Sequence, residues 1–303
     1  MKVSGTLFLI LISIIFFSCQ DIGPRAKHTK PSFQSVTGIR FTEVRRSFDS
    51  GLSFDERGYQ LEPSWRLMFH SDDTVEIYTP AKERFMNYKI YFDHDSVINM
   101  GWVWLRLKHT SKDSVVFQVL SVEKKEISRE RSNVYMTLYA DQYIEKVLHS
   151  KPQILQKPNR KDSIFVRSKI SDNTGDHTFA ARKPVMLKSK SWMLEVEKLK
   201  VMKDKVDNLD PTDEYLYPEF HISIKKAYKD FDYSFSILVD EKGKMHFGKS
   251  MVMLMPEFEE SRKRIMMGIM EVYLQNLLEI TPGSTLGMPH TSTIVVNVKG
   301  RKG

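Results

Sequence analysis

Residues 102 to 125 read WVWLRLKHTSKDSVVFQVLSVEKK, and large apolar residues alternate with polar ones in both halves of this stretch. A period of two residues is that of a β-strand with one buried face. Between the halves stands Ser111-Lys112-Asp113, a cluster of residue types that favour turns. The stretch therefore predicts two antiparallel strands, and it sets the fold class of the first half of the chain.

The same alternation recurs on both sides of this stretch. It is found in SWRLMFHSDDTVEIYTP (64–80), FMNYKIYFDHDSVINMG (85–101) and SNVYMTLYA (132–140). Short strands at this spacing predict an antiparallel meander that closes into a barrel or folds into a sandwich. Downstream, Asp141 is expected to cap a short helix that runs to Leu148.

The spacing of large residues over positions 50–125 resembles that of lipocalin-like domains. It runs through Trp65, Phe69, Tyr88, Phe92, Leu105 and Phe117. Such domains hold a small apolar ligand in the mouth of a barrel, so the resemblance implies a cavity lined by Tyr91, Trp102 and Trp104. The alternative is that these three aromatic residues belong to an ordinary core.

Residues 163–206 are predicted to form strands joined by a loop at Asn173 to Asp176, although the last part is also compatible with a helix. The acidic, proline-containing sequence DNLDPTDE (207–214) then marks a domain boundary. We therefore expect a β-rich domain at 35–206 and a linker at 207–216.

The remaining residues, 217–303, predict a small α+β domain, which makes α+β the expected fold class of the whole chain. Its parts are a hairpin in DYSFSILVDEKGKMHFG (232–248), a helix from Pro256 to about Ile280, and a last strand in STIVVNVKG (292–300). Apolar residues at three- and four-residue steps are expected to form the buried face of the helix. They are Phe258, Ile265, Ile269, Val272 and Leu277.

Several segments of this domain resemble, in their order and spacing, the TonB C-terminal domain family. They are Tyr217-Pro218-Glu219, the hairpin Phe235 to Lys244, the long helix, Thr281-Pro282-Gly283, Gly287-Met288-Pro289 and the strand Thr293 to Val298. In that family a sheet edge pairs with a short strand of an outer-membrane receptor. The resemblance implies that residues 291–298 form such an edge. The residues facing the partner would then be Thr291, Thr293, Val295 and Asn297. The alternative is that this strand only packs on the helix.

The N-terminus carries the pattern of an export signal. A short positive start and an apolar run, Leu7 to Phe17, precede Cys19, the only cysteine of the chain. The run is shorter than the roughly 20 residues of a spanning helix. Phe16-Phe17-Ser18-Cys19 resembles the lipobox of bacterial lipoproteins, which implies a signal peptide at 1–18, a lipid on Cys19 and a flexible tether at 19–34. The alternative is a signal anchor with an incidental cysteine.

The residues after Cys19 lack the run of acids that resembles a surface-export tag in Bacteroidota lipoproteins. We therefore expect an outer-membrane lipoprotein that faces the periplasm. An energy transducer held in the inner membrane is an alternative, although the chain has no proline-rich spacer long enough to cross a periplasm.

The sequence offers no catalytic constellation, and we expect a non-enzymatic protein. No histidine pair has the spacing of H-E-x-x-H, no second cysteine is present, and neither a nucleophile elbow nor a phosphate-binding glycine loop is found. We predict no cofactor and no metal. The methionine-rich MVMLMPEF (251–258) is interpreted as core filling. The formal charge of +8 is compatible with an acidic partner or anionic headgroups, but basic and acidic residues alternate almost everywhere, as in EVEKLKVMKDKVD (195–207), which favours an ordinary solvated surface. Nucleic acid is not expected of an exported protein. The predicted function is that of a scaffold that binds a protein partner, and the alternative is a carrier of a small apolar ligand.

Overall fold

The computed structural model describes residues 30–172, 178–199, 213–253 and 255–303. In this part of the chain the fold is mostly β, with few helices. The predicted signal peptide, Cys19 and most of the predicted tether lie outside the described residues. No helix in the described ranges is long and apolar enough to span a membrane.

The first half forms an antiparallel barrel, as the alternation predicts. Its strands are β1 (Arg40–Phe48), β2 (Arg66–Phe69), β3 (Thr74–Thr79), β4 (Arg84–Phe92), β5 (Val97–Met100), β6 (Val103–Thr110), β7 (Ser114–Glu123), β8 (Glu126–Ser128) and β9 (Val134–Ala140). Neighbours pair in the order β6-β5-β4-β3-β2-β1-β9-β7, and a further β6–β7 pairing closes the ring of eight. The short strand β8 pairs with β7 alone.

Alternate residues of the barrel strands fill its interior. Leu105 and Phe117, on the neighbouring strands β6 and β7, are fully buried. Phe33, just before the 3₁₀ turn Gln34–Val36, is also buried, and its ring stacks on Phe69 with the centroids 4.1 Å apart. Side chains therefore occupy the volume that a ligand carried inside the barrel would need.

The three aromatic residues predicted to line a barrel cavity lie elsewhere, so this prediction is wrong. Tyr91 and Trp102 are exposed, and Trp104 is half-buried. Tyr91 and Trp104 are the sequence neighbours of the inward-facing Ile90 and Leu105, and the pleat turns adjacent residues to opposite faces.

Three short helices follow the barrel: α1 (Asp141–Lys146), α2 (Pro152–Leu155) and α3 (Arg160–Ser171). The helix predicted at Asp141 is confirmed, although it ends at Lys146, and Asp141 does not cap it: Ala140 is the N-cap residue, and the Asp141 carboxylate accepts from Thr42 Oγ1 at 2.6 Å. The strand predicted after residue 163 is wrong, because α3 occupies this segment. Asn159 and Asp162 form a capping box that begins the helix: the backbone N–H of Asp162 donates to Asn159 Oδ1, and the N–H of Asn159 donates to Asp162 Oδ2. The predicted loop at Asn173 to Asp176 lies outside the described residues.

The second half is built on a mixed sheet. Its elements are β10 (Met186–Ser189), β11 (Leu194–Lys198), α4 (Asp213–Leu216), β12 (Glu219–Ala227), β13 (Phe231–Val239), β14 (Met245–Ser250), β15 (Leu278–Thr281), β16 (Ser284–Thr285), β17 (Met288–Pro289) and β18 (Ser292–Lys302). Five strands pair in the order β11-β12-β18-β13-β14, with β12 and β18 parallel. The predicted hairpin and last strand are confirmed.

The predicted boundary at residue 206 does not follow the strand pairing. β10 pairs with β15, and β11 pairs with β12, so both belong with the C-terminal sheet. The strands predicted in this part of the chain are confirmed at Met186–Ser189 and Leu194–Lys198, but their partners are distant in sequence, and residues 200–206 lie outside the described residues. Part of the predicted linker, 207–212, lies outside the described residues, and the rest forms α4.

One side of this sheet is covered by a long helix with a wide turn. It comprises α5 (Pro256–Ile269), a π-helical turn (Met270–Leu274) and α6 (Gln275–Leu277). The buried residues of its packing face are Met266, Ile269, Met270 and Leu274. Phe258 and Val272, both predicted to be buried, are exposed. Phe258 lies in the first turn of the helix. Val272 lies within the π turn, which holds more residues than an α turn and so shifts the packing face along the sequence.

A third, smaller core joins the two halves. It contains Phe54 from the loop between β1 and β2, Val166 of α3, and Phe179 from the segment before β10. The rings of Phe54 and Phe179 lie 6.3 Å apart. The loop after β1 thereby contacts the C-terminal half.

Candidate functional site

The four residues predicted to bind a partner lie on or beside β18. Thr293, Val295 and Asn297 are half-buried, and they alternate with fully buried residues that pack on the helix side. Their side chains therefore project from the opposite side of the sheet, which we call the helix-free face. Thr291 precedes the strand.

The predicted edge position of residues 291–298 is wrong. β18 is the central strand of the sheet, with β12 on one side and β13 on the other. Ladder pairing engages its backbone on both sides from Val295 onward. A partner strand cannot be added there, because the hydrogen-bonding groups are already used.

Among the described residues, the edges of the sheet are β11 and β14. At β14 the ladder begins with the N–H of Asp240 donating to the carbonyl of Lys244 at 3.0 Å. Hydrogen-bonded pairs alternate along an antiparallel ladder, so Met245 and Phe247 turn their backbone groups away from β13. The N–H of Met245 donates to Gln275 Oε1 at 2.7 Å. The outward backbone groups of Phe247 are thus placed to meet another strand.

A groove of about 570 Å³ lies on the helix-free face beside this edge. We call it the sheet groove. Two cross-strand pairs lie along it, Val295 opposite Ser236 and Thr293 opposite Leu238. Further lining residues include Phe247, Met251, Tyr217, Arg57 and Ala180. Two of the four predicted residues, Thr293 and Val295, therefore share a concave surface, whereas Asn297 and Thr291 are not among its lining residues.

One wall of the sheet groove comes from the loop after β1. Gly58 lies so close to the 178–182 segment that a Cβ on it would be 2.7 Å from the carbonyl oxygen of Ala180. Its φ of +93° is also one that L residues rarely adopt. The N–H of Ala180 donates to the carbonyl of Arg57 at 2.9 Å. These contacts hold Arg57 and Ala180 in fixed positions at the groove.

The aromatic side chain of Tyr215 and the basic side chain of Arg182 pack behind the same wall. The hydroxyl oxygen of Tyr215 accepts from the N–H of Gln60 at 2.9 Å, and burial raises the pKa of Tyr215. The guanidinium of Arg182 lies 4.6 Å from the centre of the Tyr215 ring and 2.6 Å from Glu62 Oε1. The wall is therefore connected to both halves of the molecule.

The buried His290 contacts the β16–β17 strand pair behind the wall. His290 Nδ1 lies 3.0 Å from the carbonyl of Thr291, and its Nε2 lies 3.1 Å from Thr285 Oγ1. The backbone N–H of Arg182 donates to the same threonine oxygen at 3.1 Å. Burial lowers the pKa of His290, and the bond to Thr291 opposes this effect in part. A neutral ring with its proton on Nδ1 satisfies these contacts.

The segment between β14 and α5 exposes apolar side chains next to the sheet groove. Met253 is 98% exposed and Val252 is 58% exposed, while Met251 lines the groove itself. Met255 and Phe258 are also exposed. The interpretation of this methionine-rich stretch as core filling is therefore wrong for these residues. Met251, Val252, Met253 and Met255 lie between the last residue of β14 and the first residue of α5, so neither periodicity buries them, and Phe258 lies in the first turn of α5.

The remaining predicted features concern turns and metals. Asp93-His94-Asp95 lies in the turn between β4 and β5, as expected, with His94 Nδ1 2.6 Å from Asp93 Oδ2. In the part of the chain that the structure describes, no group of three or more His, Cys, Asp or Glu residues is arranged to hold a metal ion. The lining of the sheet groove is mixed: apolar side chains such as Leu238, Val295 and Met251 lie beside the charged Glu56, Arg57 and Lys249.

Comparison with known proteins adds no relative: no protein-family model matches this chain, and no curated protein matches it.

Proposed function

We propose that this chain is a non-enzymatic lipoprotein of the outer membrane that faces the periplasm and binds a protein partner through its C-terminal sheet. The export pattern and the single cysteine at position 19 support the anchored location. A TonB C-terminal-like origin of the second half is part of this proposal, and the hairpin, long helix and last strand occur in the order that the resemblance requires.

The observation that carries the binding role is the combination found at β14. An edge strand with outward backbone groups at Phe247 lies beside the sheet groove, and the exposed Val252 and Met253 directly follow Met251, which lines the groove. Edge strands are usually protected, because unpaired backbone groups next to apolar side chains promote association. Here both features occur together, which favours a surface that is covered by a partner.

The contact would follow the strand-addition mode. An extended segment of the partner pairs with the backbone of β14, and alternate side chains of that segment enter the sheet groove against Leu238 and Val295. Backbone hydrogen bonds supply affinity, and the groove selects the side chains. The proposed contact strand is therefore β14 rather than β18, while Thr293 and Val295 keep a role as groove residues.

A photo-crosslinking amino acid at Met253 tests this contact in the native host, with the same substitution at Val272 as the control. Val272 is 60% exposed on the helix, and it therefore matches Val252 in chemistry and exposure. We expect one partner adduct at Met253 and none at Val272. Val252→Glu should abolish the adduct, and Val272→Glu should leave it intact. An adduct at Val272 alone, or insensitivity to Val252→Glu, would contradict the proposal.

Hydrogen exchange on the isolated complex separates strand pairing from a side-chain contact. The amide of Phe247 should become protected when the partner binds, because strand addition engages it. If the partner protects other amides near the groove but not that of Phe247, it binds this surface through side-chain contacts and not by strand addition.

Membrane fractionation tests the anchor. Cys19→Ser should remove the chain from the outer-membrane fraction, because the variant has no thiol to carry the lipid. An inner-membrane location of the parent chain that Cys19→Ser leaves unchanged would support the transducer alternative instead.

The packed interior of the barrel argues against the carrier alternative, because a ligand would have to displace buried side chains such as Phe117 and Phe69.

A further inference from the structure

A second groove, of about 880 Å³, lies on the outer face of the barrel. We call it the barrel groove. Strands β6 and β7 contribute Trp104, Arg106 and Gln118 to it, and the β7–β8 hairpin with the following loop contributes Lys125, Ile127 and Arg129. Its volume suits a small organic molecule, and it is distinct from the sheet groove, with which it shares no lining residue.

The floor of the barrel groove holds a cation without an acidic partner. Arg106 stands between Val97 and Gln118 on the neighbouring strands. Its guanidinium donates to Gln118 Oε1 at 3.4 Å, a long hydrogen bond. The amide of Gln118 is oriented by its other end, since Nε2 donates to the carbonyl of Ser132 at 2.6 Å. Arg106 therefore retains donor groups that this neutral, weak contact does not use.

The mouth of the groove adds two further cations. Within the described residues, neither Lys125 nor Arg129 has a carboxylate within the 4.0 Å of an ion pair, and the same holds for Arg106. The two acids of the groove are Asp93 and Glu126, and Asp93 already contacts His94 at 2.6 Å. Positive charge therefore exceeds negative charge around the opening.

Lys125 occupies a backbone position that a lysine does not favour. Lys124 and Lys125 are the two central residues of the turn between β7 and β8, and their φ values are +50° and +70°. Turns of this shape normally carry Asn-Gly, because glycine adopts positive φ without strain and asparagine tolerates it better than most residues with a Cβ. Lys125 therefore has a strained backbone conformation, and its side chain lies at the mouth of the groove.

The walls define the rest of the ligand. Trp104 offers an indole ring, and Val97, Val122 and Ile127 add aliphatic surface. We propose that the barrel groove binds a small organic anion with a flat apolar body, whose carboxylate, sulfonate or phosphate group pairs with Arg106 and Lys125. Each of these groups offers two oxygens that accept parallel hydrogen bonds from a guanidinium, and the aromatic body packs on Trp104.

Isothermal titration of the purified chain with 1-naphthalenesulfonate tests the proposal. The neutral 1-naphthalenesulfonamide is the matched probe, since it differs in charge and keeps the ring. We expect the sulfonate to bind at least tenfold more tightly than the sulfonamide. Arg106→Gln should reduce the affinity for the sulfonate by tenfold or more, and a thermal melt shows whether this variant is folded.

The turn supplies a pair of variants that separates binding from folding. Lys125→Gly should raise the melting temperature by relieving strain and at the same time weaken binding of the sulfonate several-fold. Lys124→Gly relieves the same strain and removes the same charge, but Lys124 does not line the groove, so affinity should stay within twofold of the parent chain. Equal binding of the two probes, or equal affinity of both glycine variants, would overturn the proposal.

A sedimentation assay with phosphatidylglycerol vesicles identifies the source of the anion. If the ligand is a soluble small molecule, Arg106→Gln should leave the vesicle binding of a Cys19→Ser chain unchanged. Loss of vesicle binding in this variant would overturn the small-molecule assignment and identify a lipid headgroup as the ligand.

Discussion

His290 is buried among uncharged partners, so its protonation state affects the stability of the segment behind the sheet groove. Its pKa is lowered by burial, whereas in the unfolded chain it titrates near 6.5. Below pH 6.5 the unfolded state binds a proton that the folded state does not, so the free energy of unfolding falls as the pH decreases. Above pH 6.5 this contribution is fully present.

We expect the chain to lose up to about 1 kcal/mol of stability between pH 7 and pH 5.5 through this residue. His290→Gln should remove that loss, because an amide has the same donor and acceptor types and does not titrate. Urea unfolding of both chains across this pH range measures the difference. A parallel pH dependence in the two chains would show that His290 does not titrate differently on folding.

At the level of residues, the sequence predicted some groove positions and missed the most exposed ones. Thr293 and Val295 alternate with apolar residues in a strand, so their face followed from a period of two. Val252 and Met253 lie between two elements, where no period applies. Their exposure depends on where β14 ends and α5 begins, and single-sequence patterns define such boundaries poorly.

The buried face of the long helix includes Met266, Met270 and Leu274, at steps of four residues. The sequence pattern predicts Val272 on the buried face as well, whereas Val272 is exposed in the structure. Leu274→Ala should therefore lower the free energy of unfolding by about 3 kcal/mol, the loss expected for a buried leucine.

The matched variant is Val272→Ala, for which we expect a change below about 0.5 kcal/mol, as for an exposed position. Chemical denaturation of both variants measures the two losses. A large loss for Val272→Ala with a small one for Leu274→Ala would contradict this assignment of the buried face.

At the level of elements, strands with clear alternation were predicted well, and the helix α3 was not. Its sequence, RKDSIFVRSKIS, contains β-branched and aromatic residues that favour strands. The capping box at Asn159 and Asp162, together with burial of Asp162, outweighs that preference. The N–H of Ser53 and the guanidinium of Arg45 both donate to the Asp162 carboxylate at 2.7 Å, and these partners are distant in sequence.

At the scale of the molecule, the small core of Phe54, Val166 and Phe179 couples the barrel to the C-terminal half. Truncating a buried phenylalanine to alanine costs about 3–5 kcal/mol. Phe54 belongs to neither of the two large cores. Phe54→Ala should therefore weaken the coupling between the two halves more than it destabilises either large core.

We expect calorimetric unfolding of Phe54→Ala to separate into two transitions, while the parent chain unfolds in one. Phe85→Ala is the control, since Phe85 packs on Tyr78 within the barrel surface and not at the junction. A single transition in Phe54→Ala would indicate that contacts other than this core couple the halves.

The global arrangement could not be predicted from local patterns. Alternation identifies the strands but not their order, and β18 lies in the centre of its sheet because β12, some seventy positions earlier, pairs with it in parallel. The partner-binding edge was therefore assigned to the wrong strand, and the sheet, expected to be antiparallel, is mixed because β12 and β18 run in parallel.

The attachment of the N-terminal residues to the barrel limits how far an anchored molecule extends. Lys30 Nζ lies 3.2 Å from Asp73 Oδ1, and the N–H of Phe33 donates to Asp72 Oδ1 at 2.5 Å, both at the turn between β2 and β3. With a lipid on Cys19, the chain between this turn and the bilayer spans no more than about 40 Å. The barrel of a lipid-anchored chain would then stay within that distance of the bilayer, and a partner would have to approach the membrane equally closely to bind.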